Sequence, residues 1–139
     1  MRDIILNFPE QFKIGIERAK NVKVKGKFSK IITCGMGGSA LPSNILLTYL
    51  QDLKTPLYIH RSYGLPPGAD KNSLVVAISY SGNTEETISS YQTAVKENLK
   101  VVAITCGGKL KEIAEENNFK KIEIIKDLSG RERFIIIFA

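Results

Sequence analysis

The sequence has no tryptophan, two cysteines, two methionines and a single histidine in 139 residues. Cys34 and Cys106 have no second Cys or His at metal-ligand spacing, which excludes a zinc knuckle, and two thiols are too few for a disulfide framework. Both fall at the ends of predicted strands, where a small buried thiol packs well. No metal and no cofactor is expected. No apolar run approaches the roughly 18 residues of a membrane span, and Met1–Leu6 is too short an apolar start for a secretory signal. The expectation is a cytoplasmic protein with no membrane partner. Seven basic residues lie from Lys13 to Lys30, but with Phe28 as the one aromatic among them the stretch lacks the interleaved aromatics of a base-stacking platform, so a nucleic-acid partner is not expected.

What is present is the composition of a soluble globular domain. Hydrophobic residues make up 43% and charged residues 24%, with a net charge of +6, a balance that can bury a core. Short apolar runs alternate with longer amphipathic stretches, the pattern of βα units. Residues 8–20 predict a leading helix. Strands are predicted at 30–34, 57–59, 74–78, 101–104 and 122–125, and helices at 39–53, 84–98 and 110–117. Leu46, Leu47, Leu50 and Leu53 are expected on one helical face. Asn83 and Glu86 have the spacing of a capping box.

These elements predict an α/β fold, a three-layer doubly wound five-stranded parallel sheet in the order 2-1-3-4-5, flavodoxin-like in its winding. One domain is expected over 1–139: a leading helix and linker at 1–25, the sheet core at 26–128, and an apolar tail at 129–139. That tail, Phe134–Phe138, reads as the start of a further segment and as a surface favouring self-association.

In such a sheet, ligands bind where the winding reverses, here between the first and third strands. The two loops leaving those strands are Gly35-Met36-Gly37-Gly38-Ser39 and Ser79-Tyr80-Ser81-Gly82-Asn83-Thr84. Glycines let backbone amides approach an anion, and each loop runs into a helix start whose dipole favours negative charge. The hydroxyls of Ser39, Ser79, Ser81 and Thr84 add donors, and neither loop carries a cation. The expected ligand group is a phosphate. Taken singly, either loop could be mere packing and capping; sharing one crevice, they point to a site. A rival reading takes Gly35-x-Gly37-x-x-Ala40 as a dinucleotide fingerprint, but His60 and Arg61 stand where a ribose-binding acid is required.

With both loops in view, the sequence resembles the sugar isomerase (SIS) domain family, most closely the bifunctional phosphoglucose/phosphomannose isomerases. Cys34–Ser39, Ser79–Thr87 and Ala103–Gly108 carry the likeness, which runs from about residue 25 to 128. The resemblance implies aldose–ketose isomerisation of glucose 6-phosphate or mannose 6-phosphate with fructose 6-phosphate. It also implies phosphate binding by Gly37, Gly38, Ser39, Ser79, Ser81 and Thr84, a phosphorylated hexose as ligand and a homodimer. The family's arginine after the fifth strand has Arg131 or Arg133 as counterparts, in altered surroundings. Family members carry a second SIS domain that supplies the catalytic glutamate and histidine. Glu86 is the remaining candidate base in this chain, which is expected to bind but not to turn over by itself. The alternative is a non-catalytic phosphosugar-sensing module.

Overall fold

The computed structural model describes residues 8–20, 22–50, 52–117, 121–126 and 132–138. Helix α1 (Phe8–Ala19) leads into β1 (Lys30–Cys34), then a 3₁₀ turn (Gly37–Ala40) that continues as α2 (Leu41–Tyr49). Strands β2 (Leu57–His60) and β3 (Ser73–Ser79), helix α3 (Glu85–Lys96), β4 (Lys100–Thr105) and α4 (Gly108–Glu116) follow. Two further strands, β5 (Lys121–Lys126) and β6 (Glu132–Phe138), complete the described chain. Every sequence-predicted strand and helix is present, with ends displaced by a few residues.

Strands β2, β1, β3 and β4 lie side by side and parallel, in the order expected. The sheet then departs from expectation: among the described residues it has six strands, not five, in the order β2-β1-β3-β4-β6-β5. The run expected as an outlying tail forms β6, antiparallel to both β4 and β5. An apolar strand between two others satisfies its backbone groups on both edges, which an unpaired tail could not do. The α/β class holds, with a parallel core and a mixed margin.

The β1-to-β2 and β3-to-β4 crossovers run in opposite directions across the sheet, so their right-handedness puts α2 on the face opposite α3 and α4. Face alternation along the strands divides the core accordingly. Ile32, Cys34, Val75, Ala77, Val101 and Ala103 pack beneath Tyr91 and Ala94 of α3 and Leu110, Ile113 and Ala114 of α4. The opposite face is built from Leu74 and Val102, with Val22, Val24 and Phe28 lying across it. Its upper part is less covered, and Val76, Ile78 and Ile104 remain half-buried.

Part of the basic stretch before β1 is structural. The Lys30 ammonium bridges to the Asp70 carboxylate at 2.9 Å and the Gly68 carbonyl at 2.8 Å, tying the β2–β3 connection to the sheet. Lys13 and Lys20 make exposed pairs with Glu10 and Glu17 one helical turn away.

Candidate phosphate site at the switch point

The two loops meet. The Tyr80 amide donates to the Ser39 hydroxyl oxygen at 3.3 Å, a bond between residues 41 positions apart that closes the crevice between β1 and β3. Close approach is possible because Gly35 lacks a side chain: a Cβ there would sit 2.9 Å from the Ile78 carbonyl oxygen. The 3₁₀ turn opens on Gly37, whose φ of +51° is the left-handed region that glycine tolerates. Nothing lies within 4 Å of where a Cβ would stand on Gly37 or Gly38. Both residues are exposed, and the first amides of a helical turn lack intrahelical partners. They are suited to face an anion.

The second loop is shaped from within. Ser79 is fully buried; its hydroxyl lies 3.0 Å from that of Thr84 and accepts the Gly82 amide at 3.1 Å. It therefore builds the loop and presents no hydroxyl to solvent, unlike the expectation for it. Ser81 is exposed and accepts the Asn83 amide at 3.2 Å, while Thr84 is half-buried and is the N-cap of α3. The expected Asn83–Glu86 capping box does not form, and no side chain caps this helix. The Asn83 side-chain oxygen instead accepts the Lys109 amide at 3.0 Å, where α4 begins. A tertiary partner has displaced the local one.

That bond belongs to a third loop, after β4, which carries part of the family likeness but was assigned no part in the site from the sequence. Its Gly107-Gly108 pair lies directly against the Ser79–Thr84 loop. A Cβ on Gly82 would run into the Gly107 carbonyl, and one on Gly108 into the Ser81 carbonyl. The Leu110 amide donates to the Gly82 carbonyl at 2.8 Å and the Cys106 amide to that of Tyr80 at 3.3 Å. The legible signal was a second Gly-Gly pair directly after a strand.

Between these loops, on the α2 face, lies a cleft of about 380 Å³. Gly38, Ser39, Tyr80 and Thr105 border it, and Met36, Pro42, Ile78 and Ile104 form its apolar wall. The loop after β2 flanks the site. Arg61 donates to the Asn44 side chain at 2.9 Å, and the Tyr63 hydroxyl donates to Glu85 at 3.0 Å. This acceptor carboxylate raises the pKa of the Tyr63 hydroxyl. Glu85 and Glu86 occupy the first turn of α3, where the helix dipole favours carboxylates.

Among the other candidates, Arg131 lies outside the described residues, Arg133 is in β6, and Glu86 is half-buried. His60 is half-buried and its Nε2 donates to the Tyr63 carbonyl at 3.3 Å. Among the described residues no group of His, Cys, Asp and Glu could hold a metal ion, and no helix is long and apolar enough to cross a membrane.

Cys34 is buried, as expected, and Cys106 is half-buried. Burial pushes the Cys34 thiol up from 9.0 to about 11, offset in part by a hydrogen bond with Ser90. A raised folded pKa means that stability is undiminished below the unfolded value and is lost as pH rises through the folded one. Relative to a Cys34→Ala variant, the unfolding free energy should be flat to about pH 9 and fall by pH 11. The expected fall is about 2–3 kcal/mol, measured by urea titration across that range.

A sheet with a parallel core, whose first and third strands open into two joined, glycine- and hydroxyl-rich loops, defines an α/β domain with a candidate anion site at its switch point. The SIS domain profile matches residues 27–127, and the chain belongs to that family. It is 44% identical over 135 residues to a bifunctional phosphoglucose/phosphomannose isomerase of Caldicellulosiruptor bescii, covering 94% of this chain and 40% of that protein. It is 39% identical over 111 residues to a D-glucosamine-6-phosphate 4-epimerase of Sulfolobus acidocaldarius, covering 79% of this chain and 35% of that one. Among solved structures, a Clostridium difficile chain assigned as a phosphosugar isomerase shares the fold at a TM-score of 0.53 and 24% identity. It covers 81% of this chain and 32% of the other. The chain thus spans about 40% of the length of the Caldicellulosiruptor protein.

Proposed function

We propose that this chain is the phosphate-binding SIS unit of an aldose–ketose isomerase that interconverts glucose 6-phosphate or mannose 6-phosphate with fructose 6-phosphate. The observation that carries this reading is the Ser39–Tyr80 bond, which joins the two loops into one crevice at the switch point. The 44% identity to a protein named for those two activities supports the substrate class.

In this reading the amides of Gly37 and Gly38 and the hydroxyls of Ser39, Ser81 and Thr84 hold the phosphate. Ser79 contributes by fixing Gly82 and Thr84. Binding rests on oriented dipoles and two helix starts, with no lysine or arginine in either loop, so it depends steeply on geometry. Isomerisation needs a base to carry a proton between C1 and C2 and a group to assist ring opening. Glu86 stands in the first turn of α3, where the helix dipole already accounts for a carboxylate, so this chain is assigned the binding of substrate and not its rearrangement. It is further read as a cytoplasmic homodimer.

Calorimetric titration with fructose 6-phosphate tests the site. The Ser81→Ala/Thr84→Ala variant should bind at least tenfold more weakly than the unsubstituted chain, since hydrogen bonds to a charged group contribute about 1.5–3 kcal/mol each. Equal affinity would sink the assignment.

A further inference from the structure

The connection leaving β2 stands on the β2 side of the crevice and is tied to both helices whose starts frame the site. The His60 carbonyl accepts the Gly35 amide at 3.3 Å, which sets the end of β2 beside the first loop. From there Arg61 reaches α2 through Asn44, whose own side chain donates to the Ala40 carbonyl at 3.1 Å. The next residues turn onto α3. The Ser90 hydroxyl donates to the Ser62 carbonyl at 3.4 Å, and the Gly64 amide donates to the Ser89 hydroxyl at 3.0 Å. Anchored on both sides in this way, Tyr63 meets Glu85, 22 positions further along the chain.

Glu85 directly follows Thr84, one of the residues assigned to the phosphate, and both Tyr63 and Glu85 are exposed. The dipole of α3 accounts for an acid at this position, but not for a partner that fixes it, since holding an exposed glutamate costs side-chain entropy. A carboxylate beside a phosphate also weakens binding by like-charge repulsion, and neither loop carries a lysine or arginine to offset it. A site for bare phosphate therefore gains nothing from Glu85. A site for phosphate carried on a polyol does gain. An ionised carboxylate is an acceptor-only group with two oxygens, and the Tyr63 bond to Oε2 leaves Oε1 to receive ligand hydroxyls.

We infer that Glu85 receives hydroxyl groups of the sugar, and that Tyr63 is the positioning residue that draws its carboxylate toward the β2 side, clear of the phosphate. This rests on the phosphate site proposed above and gives that site a preference for a phosphorylated polyol over free phosphate. Hydrogen bonds from hydroxyls to an ionised carboxylate are about twice as strong as neutral ones, so one such acceptor is enough to produce a measurable preference.

Calorimetric titration of the full chain with fructose 6-phosphate and, separately, with inorganic phosphate decides it, in mildly alkaline buffer where both are predominantly dianions. Repulsion between Glu85 and a phosphate is common to the two ligands, so the ratio of their dissociation constants isolates the contacts to the sugar. The unsubstituted chain should bind fructose 6-phosphate at least about tenfold more tightly than inorganic phosphate. In Glu85→Ala the preference should fall to within about twofold, while inorganic phosphate binds more tightly than before. Tyr63→Phe removes only the hydroxyl and changes no charge; there the preference should fall about threefold or more. Circular dichroism checks the folding of both variants. A preference absent from the unsubstituted chain, or one that survives Glu85→Ala, overturns the sugar contact and leaves the phosphate site standing. A preference unchanged in Tyr63→Phe overturns the positioning role. An unsubstituted chain that binds neither ligand overturns the inference together with the reading beneath it.

Discussion

Gly82→Ala should be the most disruptive single-methyl substitution in this protein. Gly82 has φ of +72°, and its missing Cβ points at the Gly107 carbonyl. Two costs combine. An alanine in the left-handed region loses about 1 kcal/mol, and the clash is with backbone that Thr105 holds through a 2.8 Å bond to the same carbonyl. Neither partner can swing aside as a side-chain tip could. A loss on the order of 3 kcal/mol is expected, measured by urea denaturation, together with loss of fructose 6-phosphate binding. Gly37→Ala is the internal comparison: its φ of +51° is also left-handed, but its Cβ would meet open space. It should lose about 1 kcal/mol. Equal losses in the two variants would show that the third loop does not press on the second.

Gly38→Asp should do the reverse, abolishing binding while sparing the fold. Gly38 is exposed, nothing lies within 4 Å of its Cβ position, and its φ is not positive. An aspartate is therefore accommodated, at a cost of less than about 1 kcal/mol. Its carboxylate would stand where the phosphate is proposed to lie, in a crevice whose loops carry no cation to compensate. Like charges at contact distance exclude one another by several kcal/mol, so no heat of fructose 6-phosphate binding should remain at millimolar ligand. Gly38→Asn, equal in size and uncharged, should retain most of the affinity if charge is the cause. Retained binding in the aspartate variant would place the phosphate elsewhere.

The two variants separate two kinds of glycine in one site. Gly82 and Gly108 are demanded by neighbouring backbone, and Gly37 and Gly38 leave room. Sequence inspection cannot tell them apart, because each is simply a glycine in a loop after a strand.

The same division runs through the whole chain. The apolar runs at 30–34, 74–78 and 101–104 announced strands, and the glycine and hydroxyl content of the two loops announced an anion site. These are local properties: a run of β-branched residues and a positive-φ turn are written in adjacent letters. Connection lengths and right-handed crossovers then constrained the order of β2, β1, β3 and β4. Tertiary structure alone decided where local preferences had competitors. Asn83 could cap its own helix or accept the Lys109 amide, and the distant partner prevailed. Ser79 could face ligand or interior, and its bond to the Gly82 amide turned it inward. The Glu132–Phe138 run carried an apolar pattern but no address, and pairing on both edges set it between β4 and β5. The leucines of α2 had the spacing of one face, but spacing names a face without saying what it meets. By composition and pattern the sequence determined an α/β domain with two phosphate-suited loops; packing between residues far apart decided how the loops lock together and which groups are left to face a ligand.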